Sequence, residues 1–254
     1  MTSPNQLIFL GTGGARFVVF SQQRASGGLW LSLEGTHILI DPGPGSLLQC
    51  LGHNPPLNPT ELSALVISHR HLDHCADVNV IIEAMTRGGV KKEGTLLAPG
   101  DALFDDPVVL MYLRRYLQKI EVLKAGGSYS LGPVEVEAGL RLMHTVENYL
   151  LTFRVPGLSL VYLSDTRYFP KLEAIKGDYL ILNLVLINPI DVDHLCLEEA
   201  KRIIGAVRPK AALLTHFGTT VLRAGPEKVA QEIERETGVK TLAAFDGMSF
   251  SFPG

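Results

Sequence analysis

Cysteine is scarce. Cys50, Cys75 and Cys196 are the three among 254 residues, an odd number at wide spacing. They supply neither a disulfide framework nor a paired-cysteine zinc motif. Long hydrophobic runs are missing too. The longest, residues 180–187, is broken by Asn183 and falls far short of the ~20 residues that span a bilayer. The first residues lack a basic stretch leading into an apolar core, so no secretory leader is expected. A cytoplasmic protein with no membrane association is the simplest expectation. Charge of one sign is also lacking. With 23 Lys and Arg against 26 Asp and Glu, the net charge is −3, which excludes a general electrostatic pull toward nucleic acid. Low-complexity tracts, linkers and repeats are not seen.

What is present is a well-buried α/β pattern. Apolar residues make up 46% and charged residues 19%, a balance that favours a packed core over disorder. Short apolar runs between Gly, Pro, Asn and Asp predict strands at 7–10, 29–33, 37–40, 65–68 and 95–98. Residues 119–164 read as consecutive strands with turns at 126–127, 132–133 and 156–157. Further strands are expected at 179–184, 211–215, 240–243 and 247–252. Helices are expected at 76–87, 107–119, 168–176, 197–207 and 226–237. Ala64-Leu65-Val66-Ile67 and Ala211-Ala212-Leu213-Leu214 are apolar at successive positions, which suits strands covered on both faces. A single domain over 1–254, with two sheets covered by helices, is the expectation.

Eight histidines are unevenly spread, and three fall in Ser68-His69-Arg70-His71-Leu72-Asp73-His74. Imidazole and carboxylate are the donors that zinc, manganese and iron accept. His69 and His71 share a side if the loop is extended, and a strand before the loop would hold it rigidly. A solvated, histidine-rich loop is the plain alternative.

The pattern His69-x-His71-x-Asp73-His74 resembles the hallmark of the metallo-β-lactamase fold superfamily. That resemblance implies a four-layer αββα sandwich and three further ligands in the order His, Asp, His. His144, Asp165 and His216 stand in that order, each after a predicted strand. Carried over, the resemblance implies one divalent ion held by His69, His71 and His144, and a second by Asp73, His74 and His216, with Asp165 bridging. Zinc is the first expectation, with manganese or iron as substitutes. Paired ions lower the pKa of a shared water and stabilise an anionic transition state.

Leu10-Gly11-Thr12-Gly13-Gly14, the stretch Ile38-Leu39-Ile40-Asp41-Pro42-Gly43-Pro44-Gly45, and Leu163-Ser164-Asp165-Thr166 resemble the tRNase Z and cyclic-phosphodiesterase branch. The glycines fit either a phosphate approach or a tight turn. Asp41 suits a carboxylate that fixes the tautomer of a ligand histidine. The resemblance implies that His194 lies beside the metals and protonates the leaving oxygen or holds the phosphate. Asp73 is also a candidate to accept a proton from the attacking water, besides ligating metal. Two departures matter. His144 and Asp165 are too close for the long basic arm of tRNase Z, which disfavours a large RNA. Asn183 stands where an acidic residue is common in that enzyme. The Cys-rich zinc site of the phosphonate-pathway phosphodiesterases has no counterpart either. The expected activity is metal-dependent hydrolysis of a small or cyclic phosphodiester by a homodimer. The alternatives are hydrolysis of a carboxylic ester, thioester or lactone, and metal binding without catalysis.

Overall fold

A computed structural model describes residues 5–253. The alternation of side chains along its strands decides the layering. In Ile38-Leu39-Ile40, the two isoleucines enter the core between two sheets, whereas Leu39 joins an apolar cluster on the outer face. The same period of two separates Tyr179 and Ile181 from Leu180 and Leu182, and Ala211 and Leu213 from Ala212 and Leu214. Strands that are apolar on both faces need a cover on the outside. Helices provide it on both sheets, which makes the four-layer αββα sandwich.

The first sheet holds β1 (Gln6–Phe9), β2 (Leu29–Leu33), β3 (Thr36–Ile40), β4 (Ala64–Val66), β5 (Thr95–Pro99) and β6 (Lys119–Leu123). The second holds β7 (Gly127–Leu131), β8 (Val134–Arg141), β9 (Tyr149–Val155), β10 (Leu158–Leu163), β11 (Tyr179–Asn183), β12 (Ala211–Thr215) and β13 (Thr241–Ala243), while β14 (Ser249–Ser251) returns to the first. The orders are β14-β1-β2-β3-β4-β5-β6 and β13-β12-β11-β10-β9-β8-β7. Strands β3 to β6 run parallel to one another, as do β10 to β13, whereas β3 is antiparallel to β2 and β10 to β9. Parallel strands deliver their carboxyl ends to one edge, where α/β folds build their sites.

The helices are α1 (Ala15–Ser21), α2 (Ser46–Gly52), α3 (Leu72–Cys75), α4 (Val78–Met85), α5 (Gly100–Leu103), α6 (Met111–Arg114), α7 (Leu197–Val207), α8 (Thr219–Ala224) and α9 (Pro226–Thr237). Val78, Ile81, Ile82 and Met85 give α4 an apolar stripe at helical spacing, packed against the first sheet. Leu197, Ala200, Ile203 and Ile204 of α7, with Val229, Ala230 and Ile233 of α9, cover the second.

Several element boundaries depart from the sequence expectation. The helix expected at 76–87 starts at Val78, because Asp77 is an anchor. Its N–H donates to the Pro42 carbonyl at 2.9 Å, and its carboxylate accepts from the Leu47 N–H at 3.0 Å. The helix expected at 107–119 shrinks to α6. Asn79 accepts the Leu110 N–H and donates to the Val108 carbonyl, both at 2.9 Å, holding the approach out of helical form. Lys119 is already paired with Thr95 in the sheet. The helix expected at 168–176 is a 3-10 turn at Pro170–Ala174, and α1, α2, α5 and α8 have no counterpart among the expected helices. Among the described residues, no helix is long and apolar enough to cross a membrane.

Candidate metal centre

Each proposed ligand follows a strand or opens a helix. His69 and His71 lie past β4, and Asp73 and His74 in α3. His144 follows β8, Asp165 follows β10 and His216 follows β12. Donor atoms of His69, His71 and His144 lie within 4.8 Å of one another, as do those of Asp73, His74, Asp165 and His216. His144 Nε2 is 3.1 Å from His71 Nδ1. His216 Nε2 is 3.4 Å from Asp165 Oδ1 and 3.5 Å from Asp73 Oδ2, and His74 Nε2 is 3.5 Å from Asp165 Oδ2. Two donors on one tetrahedral zinc, each ~2.0–2.1 Å from the ion, are about 3.3 Å apart. These separations fit shared ions. His69 Nε2 lies 3.9 Å from Asp165 Oδ2, so the aspartate stands between the two clusters.

The unpartnered atoms point the same way. His69 Nε2, His74 Nε2, His144 Nδ1, His194 Nδ1 and His216 Nε2 are buried with no hydrogen-bond partner. Such an atom costs ~1–3 kcal/mol when left unsatisfied, so five of them together mark a place for a cation. Asp41 and Asp165 are each 2% exposed. Their ion-pair partners among the described residues are histidines, with no Lys or Arg. The donor set therefore fits a pair of divalent ions.

Asp41 is the hub behind the ligands. Its Oδ1 accepts the Ser68 N–H, and its Oδ2 accepts the Ser68 hydroxyl, both at 2.6 Å. The same Oδ2 accepts His74 Nδ1–H and the Tyr162 hydroxyl, both at 2.8 Å. The Ser68 hydroxyl, having donated to Asp41, accepts from His69 Nδ1 at 3.0 Å. One carboxylate thus fixes two imidazoles with Nε2 free for the centre. Its own backbone is in the left-handed region at φ 49, as is that of His216 at φ 57. Asp and His tolerate that region better than branched residues do, and the sharp turn aims each side chain off its strand end.

Charge follows from this arrangement. Burial, reinforced by His74, holds His69 well below the ordinary imidazole range. Burial also lowers His71, and it takes His144 down to about 4. These three rings offer lone pairs at neutral pH. Burial opposes a proton on His74 too, but Asp41, Asp73 and Asp165 outweigh it and raise that ring well above the ordinary value. Asp165 stays well below the usual carboxylate range despite its burial, because His216, His74 and His194 face it.

His194 Nδ1 stands 3.6 Å from Asp165 Oδ2, and the side chain is 20% exposed, so the ring touches both the cluster and solvent. Asn183 sits at the end of β11 and donates to Asp165 Oδ1 at 2.8 Å. The glycine loop serves His216. A Cβ on Gly14 would lie 2.2 Å from the His216 ring. The Phe217 N–H donates to the Thr12 carbonyl at 2.7 Å, and the Gly14 N–H donates to the Phe217 carbonyl at 3.1 Å. Gly43 packs likewise, with its Cβ position 2.1 Å from the Asp73 carbonyl oxygen.

Other polar side chains have partners of their own outside the cluster. Arg24 donates to the Thr12 hydroxyl and the Ala244 carbonyl. Asp191 and Asp193 grip Arg167 at 2.9 and 3.0 Å. His37 meets the Ser32 hydroxyl and His53 the Pro55 carbonyl. The Cys75 thiol donates to the Arg70 carbonyl, and burial, then Asp41 and Asp73, push it up to about 12. Sequence reasoning missed Ser68 and Tyr162 as partners of Asp41. It also missed Asn148, which donates to the Asp165 carbonyl at 2.7 Å and accepts from the Ser164 hydroxyl. The break that Asn183 makes in the longest apolar run was a usable signal for that residue.

Comparison with known proteins adds a lineage to this geometry. Residues 36–217 match the family described as Beta-lactamase superfamily domain. The Methanocaldococcus jannaschii protein MJ1374 is 30% identical over 256 residues, covering 96% of this chain and 93% of that protein. Ribonuclease Z from Methanosarcina mazei is 25% identical and covers 95% of this chain and 74% of its own length. Among solved structures, the metallo-β-lactamase fold protein YhfI from Bacillus subtilis superposes with a TM-score of 0.83 at 20% identity, covering 98% of this chain and 100% of that one. A diphosphatase from the PhnP family gives 0.72 at 21% identity, covering 99% and 98%.

Proposed function

The chain belongs to the beta-lactamase superfamily, a fold family rich in metal-dependent hydrolases, and from that premise we propose that it hydrolyses a small or cyclic phosphodiester at two zinc ions. The observation that carries the reading is the convergence of four unpartnered buried imidazole nitrogens, those of His69, His74, His194 and His216, on the Asp165 carboxylate. His69, His71 and His144 would hold one ion and Asp73, His74 and His216 the other, with Asp165 placed between the two groups. A pair of divalent ions supplies an activated water and positive charge opposite a developing oxyanion.

The protein's own groups do the rest. Asp41 keeps the His74 tautomer with Nε2 turned inward. Asp73, at the open side with 16% of its side chain exposed, takes up the proton of the attacking water. His194 holds the proton that the leaving oxygen requires, a task suited to a group at the solvent boundary. Ribonuclease Z and the PhnP-family diphosphatase cleave phosphate linkages by name, which supports the phosphodiester over a carboxylic ester. The span between His144 and Asp165 is occupied by the hairpin of β9 and β10, paired from Leu158–Val155 to Tyr162–Leu151. That leaves no length for an RNA-gripping arm and favours a small substrate.

The test is a hydrolysis panel on metal-analysed protein, comparing bis-aryl phosphate and cyclic nucleotides with thioesters, lactones and β-lactams. Phosphodiester turnover is expected, and His194→Ala should lower it ~10²–10⁴-fold while both metals stay bound. Strong lactone or thioester turnover without phosphodiester turnover overturns the substrate class. Full metal content with no turnover on any ester overturns the enzymatic reading.

A further inference from the structure

The first histidine cluster straddles the two sheets. His69 and His71 hang from the first sheet past β4, and His144 from the second past β8. Their nitrogens must meet within metal–ligand tolerance, about ±0.2 Å, so the two loops need a brace. The first turn of α5 lies between them. The Asp101 N–H donates to Glu147 Oε2 at 3.1 Å, and the Glu147 N–H donates back to Asp101 Oδ2 at 2.9 Å. The same Asp101 oxygen pairs with Arg70 Nε at 3.2 Å. Arg70 is the residue between His69 and His71, and its guanidinium also grips Asp106 at 2.6 Å. Glu147, three residues past His144, is steadied by the Tyr149 hydroxyl at 2.5 Å and by Arg141 at 3.5 Å.

The second cluster crosses the sheets by a different route. There Tyr162 reaches Asp41, and the Thr12–Gly14 loop pairs with Phe217. We infer that Arg70, Asp101 and Glu147 form a latch that sets the His71–His144 spacing, and with it the metal affinity of the first cluster independently of the second. This rests on the metal-centre reading above. None of the three offers an atom to the ions; they are positioning residues, acting through the backbones that carry the ligands.

The experiment titrates zinc into metal-free, full-length protein against a chromophoric chelator, with a thermal melt of each metal-free variant. Two zinc ions are expected for the unaltered chain. Glu147→Ala should weaken one of them ~10-fold or more, the range seen when outer partners of metal ligands are lost, and leave the other unchanged. Arg70→Met should do the same from the opposite side. Glu147→Gln keeps an oxygen for the Asp101 N–H and should restore most of the affinity. The site lost must be the one that His144→Ala removes, so adding Glu147→Ala to His144→Ala should weaken zinc no further. Equal loosening of both sites in step with a lower metal-free melting temperature overturns the latch, as does no loosening. If Glu147→Ala does not fold, Arg70→Met decides between the same outcomes. An unaltered chain that binds fewer than two zinc ions overturns the metal centre itself and the latch with it, a result distinct from losing the latch alone.

Discussion

Gly14→Ala isolates the purpose of the glycine loop. Gly14 has φ −137 and ψ 165, extended backbone open to any residue, so alanine carries no conformational cost there. The steric cost is another matter. The new Cβ would stand 2.2 Å from His216 Cδ2, 2.3 Å from Cγ and 2.6 Å from Nε2. Relief to an ordinary carbon contact of ~3.5 Å demands a retreat of about 1.3 Å. The backbones on both sides are tied by the Thr12–Phe217 and Gly14–Phe217 hydrogen bonds, so the imidazole must absorb much of that movement. It is several times the ±0.2 Å or so that a metal–ligand bond tolerates. The variant should fold, lose ~1–3 kcal/mol to overpacking, and hold about one zinc instead of two. Phosphodiester turnover should fall by ~10²-fold or more, the scale of a 1 Å misplacement. Metal analysis after dialysis, a chelator competition and a thermal melt read these effects separately. Gly52→Ala, whose Cβ would meet nothing within 4 Å, is the matched control and should hold both ions. Two zinc ions in Gly14→Ala at unaltered affinity would refute the steric argument and return the loop to a phosphate-binding reading.

Asp41→Asn leaves one acceptor oxygen where Ser68, His74 and Tyr162 converge; zinc affinity should drop ~10–100-fold, and a chelator titration superimposable on that of the unaltered chain contradicts the hub. Asn183→Asp replaces the amide that donates to Asp165 Oδ1 at 2.8 Å with a second carboxylate. Like charges at that distance resist joint ionisation, so the metal-free variant should melt lower and regain more from zinc than the unaltered chain; an unchanged metal-free melt counts against it. The Ser159 hydroxyl, Lys210 and the Ser159 N–H hold Asp178 below the usual carboxylate range. A lowered carboxylate gives stability that is full above its unfolded value, ~3.9, and is lost as pH falls through the folded value. Asp178→Asn should therefore flatten the fall in melting temperature below about pH 4, and an acid limb as steep as before rejects the assignment.

Legibility in the sequence tracked the distance between partners. His69, His71, Asp73 and His74 announce themselves because four donors fall within one short loop. His144, Asp165 and His216 could be picked out because they follow predicted strands in the His, Asp, His order that the family resemblance implies; β10 and β12, which precede the last two, lie in one parallel run of the second sheet, whereas β8, which precedes His144, is antiparallel to its neighbours. The layers were readable for a similar reason, since Ile38-Leu39-Ile40 sorts its side chains by a local period. The supports were not readable. Tyr162 meets Asp41 across 121 positions and Glu147 meets Asp101 across 46, with no periodicity linking them. The failed helix at 107–119 has the same origin. Val109, Leu113 and Leu117 are all buried, as helical spacing implies, yet Asn79 and the pairing of Lys119 with Thr95 take the backbone elsewhere. Local pattern indicates which side chains go inward, and long-range hydrogen bonds decide what the backbone does on the way. A metal centre spanning two sheets depends on both. Its donors can be proposed from one loop and three strand ends, but the accuracy of their meeting rests on Asp41, Gly14 and the Asp101–Glu147 pair, whose importance emerges only when distant segments touch.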